Sequence, residues 1–316
     1  MNSLTVIVPC YNEENNIQTF YNEITKVLDK LSNKYEVVSR LLFVDDGSDD
    51  KTSEILKNLS LEHSNQVDYI VLSRNFGKEA ALYAGFNYSK TDYTVVMDVD
   101  LQDPPELLEE MFIGINREGY DCVATRRKNR TGEPILRSFF ANCFYWFIRK
   151  LSGLPIVDGA RDFRMINRTM LEALLSLQEA NRFSKGLFPW IGFKTKWLEF
   201  DNVERTAGSS KWSFSKLMFY AFDGIAAFSS VPLIAVSIFG IFSMLLALLM
   251  VMVVIIRKVL YGDPVAGWPS LACLILFTSS MQYFFIGILG FYIAKIYNET
   301  KHRPQFVIKY SSIKQE

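Results

Sequence analysis

The chain has 316 residues, enough to bury a sizeable core without disulfide or metal staples. Lys plus Arg and Asp plus Glu each number 34, so the formal net charge is zero and no global field favours nucleic acid. Two histidines, His63 and His302, are too few for a His-rich zinc site, and the four cysteines, Cys10, Cys122, Cys143 and Cys273, form no CxxC pair and suit scattered thiols of a reducing compartment.

Up to about residue 130 the chain alternates short apolar, β-branched runs with helical stretches. Leu4–Val8, Leu41–Val44, Tyr69–Leu72, Tyr93–Met97 and Cys122–Ala124 read as strands, and Ile17–Leu31 and Pro105–Ile115 as amphipathic helices. This is a βαβ pattern with a parallel sheet, whose ligands sit outside the carboxyl ends of the strands. Met1–Pro9 reads as the first strand and not as a signal peptide.

The strand ends are acidic. The first runs into Pro9-Cys10-Tyr11-Asn12-Glu13-Glu14, where acidic residues would complement a helix N-terminus. The second runs into Asp45-Asp46-Gly47-Ser48-Asp49-Asp50. There Gly47 permits a tight turn, Ser48 or Asp49 can cap the next helix, and one aspartate is left over for a ligand. After the fourth strand comes Asp98-Val99-Asp100-Leu101-Gln102-Asp103-Pro104-Pro105-Glu106. In an extended chain Asp98, Asp100 and Gln102 share one side, so three oxygen-bearing side chains could converge on a hard divalent cation bridging phosphates. Asp103 reads as a helix cap. The chain has no GxxxxGK[ST] loop and no GxGxxG after its first strand, which disfavours an ATPase or a dinucleotide enzyme.

Beyond the strands, Arg126-Arg127-Lys128-Asn129-Arg130 is a basic run, and Ile135–Leu151 combines dense aromatics with basic ends, as an interfacial helix would. Residues 213–230 read as a second, juxtamembrane helix. The mean hydropathy of +0.10 then proves to be an average of two materials. Val231–Ile256 carries no charge, nor does Pro264–Ala294, and a hydrocarbon core needs only about 20 helical residues. A transmembrane hairpin over about 231–256 and 267–294 follows. Lys211 and Lys216 before it, with Lys295, Lys301, Arg303 and Lys309 after it, outweigh Arg257 and Lys258 between the spans. Both termini and the large domain are therefore expected in the cytoplasm, with the protein multi-pass in the cell membrane.

The ordered segments Val8-Pro9-Cys10-Tyr11-Asn12-Glu13-Glu14, Val44-Asp45-Asp46-Gly47-Ser48, Ser73-Arg74-Asn75-Phe76-Gly77-Lys78, Asp98 to Glu106, Gly159-Ala160-Arg161-Asp162-Phe163-Arg164 and Ser210-Lys211-Trp212-Ser213 carry a resemblance. Together they are similar to the inverting family 2 glycosyltransferases of GT-A fold, in particular the polyprenyl-phosphate branch that includes the bactoprenol glucosyltransferases and dolichol-phosphate mannose synthase. The resemblance spans nearly the whole chain. It implies an α/β catalytic domain over 1–212 with a mixed, mostly parallel, Rossmann-like sheet, then 213–230, then the hairpin and a cytosolic tail to 316.

It also implies site roles. Pro9, Tyr11, Glu13, Asp46 and Asp98 would bind the nucleotide; Asp98, Asp100 and Gln102 would hold Mg²⁺ or Mn²⁺; Asp162 would take the catalytic base position, with Asp100 beside it. Arg126, Arg137, Arg205 and Lys211 would face a lipid phosphate. Since a phosphate monoester has its second pKa near 6, the acceptor is already anionic in the cytosol, and orienting it is as good a role for Asp162 as deprotonating it. The implied reaction moves glucose or N-acetylglucosamine from a UDP-sugar to undecaprenyl phosphate at the lipid bilayer, for cell-envelope glycosylation. A homo-oligomer, with a tetramer as one form, is implied too, and Gly287, Gly290 and Ala294 would permit close packing of the second span. The rivals are a processive polysaccharide synthase, whose QxxRW pattern Gln178–Phe183 does not reproduce, and a non-catalytic scaffold or flippase subunit.

Overall fold

The computed structural model describes residues 2–128, 157, 159–180, 182–200, 231–261 and 267–313. The chain divides into two compact units, Met1–Met218 with Arg303–Glu316, and Phe219–His302.

The first unit is an α/β layer structure. Its elements are β1 (Asn2–Cys10), α1 (Ile17–Tyr35), β2 (Val37–Asp45), α2 (Thr52–Glu62), β3 (Val67–Leu72), α3 (Lys78–Tyr88), β4 (Tyr93–Val96), α4 (Leu107–Asn116), β5 (Cys122–Arg127), β6 (Ala160–Asn167), α5 (Arg168–Ser176), α6 (Ser184–Trp190), β7 (Thr195–Phe200) and β8 (Ile308–Ser311). The strands form one sheet in the order β7-β5-β6-β4-β1-β2-β3-β8. Neighbours β4, β1, β2 and β3 are parallel, as are β5 and β7, while β6 and β8 run against their neighbours. This is the mixed, mostly parallel sheet expected of the GT-A fold.

The elements follow from the apolar pattern. β1 is apolar on both faces, and Leu4, Val6, Ile7 and Val8 are fully buried, as befits a central parallel strand covered by helices on both sides. In α1, Ile17, Phe20, Ile24, Leu28 and Leu31 recur at helical spacing and are buried, with Phe20 meeting Phe43 of β2 edge-on at 6.0 Å. On α3, Gly85 lies so close to β1 that a Cβ there would meet Ile7 Cγ2 at 2.4 Å. This close approach draws the N-terminus of α3, which begins at Lys78, toward the strand ends.

Several expectations change. β4 ends at Val96, and Val99 and Asp100 form a turn in which Leu101 has φ +53°, so residues 98–102 are not an extended chain with alternating sides. Asp103 is not a cap: α4 begins at Leu107, and Asp103 is buried against Arg161. Neither Ser48 nor Asp49 caps α2; the Asp50 carboxylate accepts from Thr52 N–H instead. Residues after the hairpin rejoin the first unit, where β8 pairs antiparallel with β3 and Ser312 exchanges hydrogen bonds with Tyr69. Cys10 and Cys122 are free and buried, and burial pushes the Cys122 thiol up to about 11. The helices anticipated over 135–151 and 213–230 lie outside the described residues.

The second unit contains α7 (Val231–Tyr261) and α8 (Trp268–Thr300), which touch through Phe239 and Phe285 at 5.3 Å between ring centroids. Leu233–Met250 and Leu274–Thr300 are long and apolar enough to cross a membrane. Large apolar side chains such as Ile238, Phe242, Leu276 and Phe284 are exposed along them. A water-soluble protein does not present apolar surface on this scale; the unit is membrane-associated.

Candidate active site

The loops after β1, β2, β3 and β4 meet at one end of the sheet, and their geometry is set by hydrogen bonds among acidic and hydroxyl side chains. Asp45, the last residue of β2, is fully buried and accepts from Ser48 N–H at 3.0 Å, Ser48 Oγ at 2.6 Å and Ser53 Oγ. Ser48 Oγ in turn accepts from Asn12 N–H at 2.9 Å, and Thr52 Oγ1 from Glu13 N–H at 2.9 Å. Asp46 N–H donates to Cys10 O at 2.9 Å, which closes the β1 and β2 ends together.

Asp46 extends this frame. Its two carboxylate oxygens accept from Phe76 N–H at 2.7 Å and Gly77 N–H at 2.8 Å, and burial pushes its carboxyl above the ordinary value against the pull of those donors. Beside it Gly47 adopts φ +66°, and a Cβ there would meet the Arg74 carbonyl carbon at 2.4 Å. Only glycine satisfies both the left-handed backbone and that contact.

Two neighbouring cavities result. One of about 330 Å³ is lined by Pro9, Cys10, Tyr11, Glu13, Asp46, Asn75, Gly77, Lys78, Ala81, Asp98, Val99 and Asp100. It therefore gathers every residue expected at the nucleotide, together with Asp100. A larger one of about 1120 Å³ shares Tyr11 and Asn75 with it and extends past Lys51, Lys57 and Arg74 to Lys309 and Tyr310 of β8.

The remaining predicted residues are distributed less simply. Asp162, on β6, is joined to the small cavity through Lys78, whose ammonium donates to Asp162 Oδ2 and Asp98 Oδ1, each at 2.6 Å. Burial alone would raise the Asp162 pKa, but Lys78 above all, with Lys185 and Arg164, holds it far below the usual carboxylate range. Gln102 is buried with its carbonyl oxygen toward Arg127 at 3.3 Å and Arg161 at 3.5 Å, and its backbone N–H donates to Asp100 Oδ1 at 3.3 Å. Arg126 is ion-paired with Glu199 of β7. Arg137, Arg205 and Lys211 lie outside the described residues.

A match to the Glycosyl transferase family 2 model covers residues 5–175, from β1 through β6 into α5. The chain is a family 2 glycosyl transferase. It is 41% identical over 310 residues to CsbB of Bacillus subtilis (strain 168), named as a glycosyltransferase, covering 98% of this chain and 92% of that one. It is 37% identical over 306 residues to the bactoprenol glucosyl transferase of Shigella phage SfV, covering 97% and 98%. Among solved structures it is similar to glucosyl-3-phosphoglycerate synthase from Mycobacterium tuberculosis, with 18% identity, 71% and 78% coverage and a TM-score of 0.45.

The donor chemistry of this family 2 enzyme suits a hard divalent cation at Asp98 and Asp100. Both carboxylates border the small cavity, and a small divalent ion that binds phosphates commonly takes one or two carboxylates and fills its remaining positions with phosphate and water. Among the described residues no cluster of three or more His, Cys, Asp or Glu side chains forms a closed cage.

The groups around Asp162 have no role that the sequence alone assigns. Lys78 is the last residue of the Ser73–Lys78 segment. Glu79 beside it is half-buried and accepts from Ser184 N–H at 3.1 Å and from Ser184 Oγ, tying α3 to α6. The available signal was the polar Lys78-Glu79 pair opening an otherwise small, apolar helix.

Proposed function

We propose that the chain transfers a hexose, glucose or N-acetylglucosamine, from a UDP-sugar to undecaprenyl phosphate, inverting the anomeric configuration. The observation that carries this reading is the small cavity itself, where Pro9, Tyr11, Glu13, Asp46 and Asp98 converge beside Asp100. The end-to-end similarity to a protein named bactoprenol glucosyl transferase supports the acceptor class. The exposed apolar helices support an acceptor that lives in a bilayer.

In this reading Pro9, Tyr11 and Glu13 line the nucleotide, and Asp46 serves twice, bracing the Phe76-Gly77 backbone and bordering the base or ribose. Asp98 and Asp100 would hold Mg²⁺ or Mn²⁺, which when bound supplies positive charge against the diphosphate. A phosphate oxygen of the lipid attacks the anomeric carbon, the bond from that carbon to the diphosphate oxygen breaks, and UDP departs with the electron pair. The attacking oxygen is already anionic above its second pKa near 6. A carboxylate held as acidic as Asp162 is a weak base, so its role is to orient, through Lys78, the charged groups around the acceptor. Arg126, once it exchanges Glu199 for phosphate, and Arg137, Arg205 and Lys211 would counter the lipid phosphate.

The finer organisation belongs to the same proposal: a catalytic domain over 1–212, a juxtamembrane helix over 213–230, and two spans, with the catalytic domain and both termini cytoplasmic. A homo-oligomer packed through Gly287, Gly290 and Ala294 completes it. The test incubates the purified protein with undecaprenyl phosphate, Mg²⁺ or Mn²⁺ and a panel of radiolabelled sugar nucleotides. A lipid carrying one sugar is expected. A long polymer would favour a processive synthase, and absence of product with every donor would sink the proposal.

A further inference from the structure

The ends of β4 and β6 set up an electrostatic problem. The β4–β6 ladder closes at Val96 and Arg164, with Asp98 two residues past the end of β4 and Asp162 two residues before Arg164 on β6. Two carboxylates brought to one site repel each other and favour capture of a cation or a proton. Here the cation comes from the protein. Lys78 Nζ lies 2.6 Å from Asp98 Oδ1 and 2.6 Å from Asp162 Oδ2. α3 delivers it there because the Gly77 turn, held by Asp46, opens the helix at that point, and because Gly85 lets the helix lie tight on β1.

The partners of these groups are unequal in a way that matters. Asp162 also faces Lys185 and Arg164, whereas Asp98 lies beside Asp100 and Asp103. Asp162 thus retains positive neighbours of its own if Lys78 moves. Among the described residues Asp98 keeps only Arg161, which is bonded to Asp103, so its vacated oxygen is open to an incoming cation. Lys78 is also half-exposed, at 42% of its side chain, and so has room to swing.

We propose that Lys78 is a resident counter-ion that competes with the divalent cation for Asp98: it bridges the Asp98 and Asp162 carboxylates before the metal arrives, then releases Asp98 and stays with Asp162. This rests on the reading that Asp98 belongs to the metal-binding pair. Binding of donor with its metal on one side is thereby linked to the position of an ammonium on the acceptor side. The alternative role for the same contacts is a permanent strut, in which Lys78 holds the two strands together and never leaves.

Equilibrium binding of Mn²⁺ alone, without nucleotide, to the full-length protein separates the two. Lys78→Met and Lys78→Gln should each bind Mn²⁺ about tenfold tighter than the wild type, because one competing positive charge is gone from about 3–4 Å. Lys78→Arg, which keeps the charge, should stay near the wild type. In the wild type itself, reductive methylation read by mass spectrometry should label Lys78 more heavily once Mn²⁺ is added. Unchanged or weaker Mn²⁺ binding in a folded Lys78→Met or Lys78→Gln protein, absence of Mn²⁺ binding in every variant, or labelling of Lys78 that does not rise with Mn²⁺ would each overturn the proposal. Transfer by the wild type is scored separately, so its absence would strike the proposed reaction, while unaltered Mn²⁺ affinity would strike only the role of Lys78.

Discussion

The ends of β2 and β4 carry the same residue type and use it in opposite ways. At the end of β2, Asp45 and Asp46 are buried and bonded to backbone N–H groups and short hydroxyls that are fixed by the local turn. Past the end of β4, Asp98 is partly exposed and meets a lysine on a long, flexible stem. The first arrangement shapes the cavity and stays bonded to its own chain; the second holds charge that a ligand can exchange. A carboxylate's role in this site follows from what satisfies it, not from its place in an acidic motif.

The largest expected effect lies on the exchangeable side. Asp162→Asn should lower turnover by at least about 10²-fold, since it removes the anion that orients Lys78. Because the native carboxyl is already held far below the usual range, raising the pH should not recover that loss. Recovery at high pH, measured as the kcat profile between pH 6 and 9, would make Asp162 a proton acceptor after all.

The frame should respond in stability. Gly47→Ala forces a Cβ into the Arg74 backbone at a positive φ and should cost about 2–4 kcal/mol in denaturant unfolding of the full-length protein, where a change under about 0.5 kcal/mol would remove the close approach from the account. The smallest effect concerns the link from α3 to α6. Burial raises the Glu79 carboxyl, so the folded state holds its proton more tightly than the unfolded chain and this group's contribution falls as pH rises from about 4.3 through the folded pKa. Glu79→Gln should therefore lose less stability at pH 7 than at pH 4.5, read as the difference in unfolding free energy. An equal loss at both pH values would mean the carboxyl is not shifted.

Much of this division was hidden from the sequence for specific physical reasons. β1 and β2 were legible because their apolar runs fill a central parallel sheet. β6 was not, because Arg161, Asp162 and Arg164 interrupt its pattern and their charges are satisfied only by distant partners such as Asp103 and Lys78. Alternation places Gln102 beside Asp98 and Asp100 only in an extended chain, and the chain turns at Val99 and Asp100. The double aspartate after β2 left one carboxylate over for a ligand, and only hydrogen-bond geometry reveals Asp45 as wholly internal. Lys78 is visible as a letter, but its meaning depends on Asp98 and Asp162 meeting it in space, a contact between segments far apart in the chain.

The contrast between frame and exchangeable charge is most directly tested by a paired readout on Asp45→Asn and Asp98→Asn: thermal midpoint together with transfer to undecaprenyl phosphate at a permissive temperature. Asp45→Asn should lose about 2–3 kcal/mol of stability and keep most of its turnover while folded, whereas Asp98→Asn should keep its stability and lose metal-dependent turnover. The reverse pattern, with a stable but inactive Asp45→Asn and an unstable but active Asp98→Asn, would contradict the account.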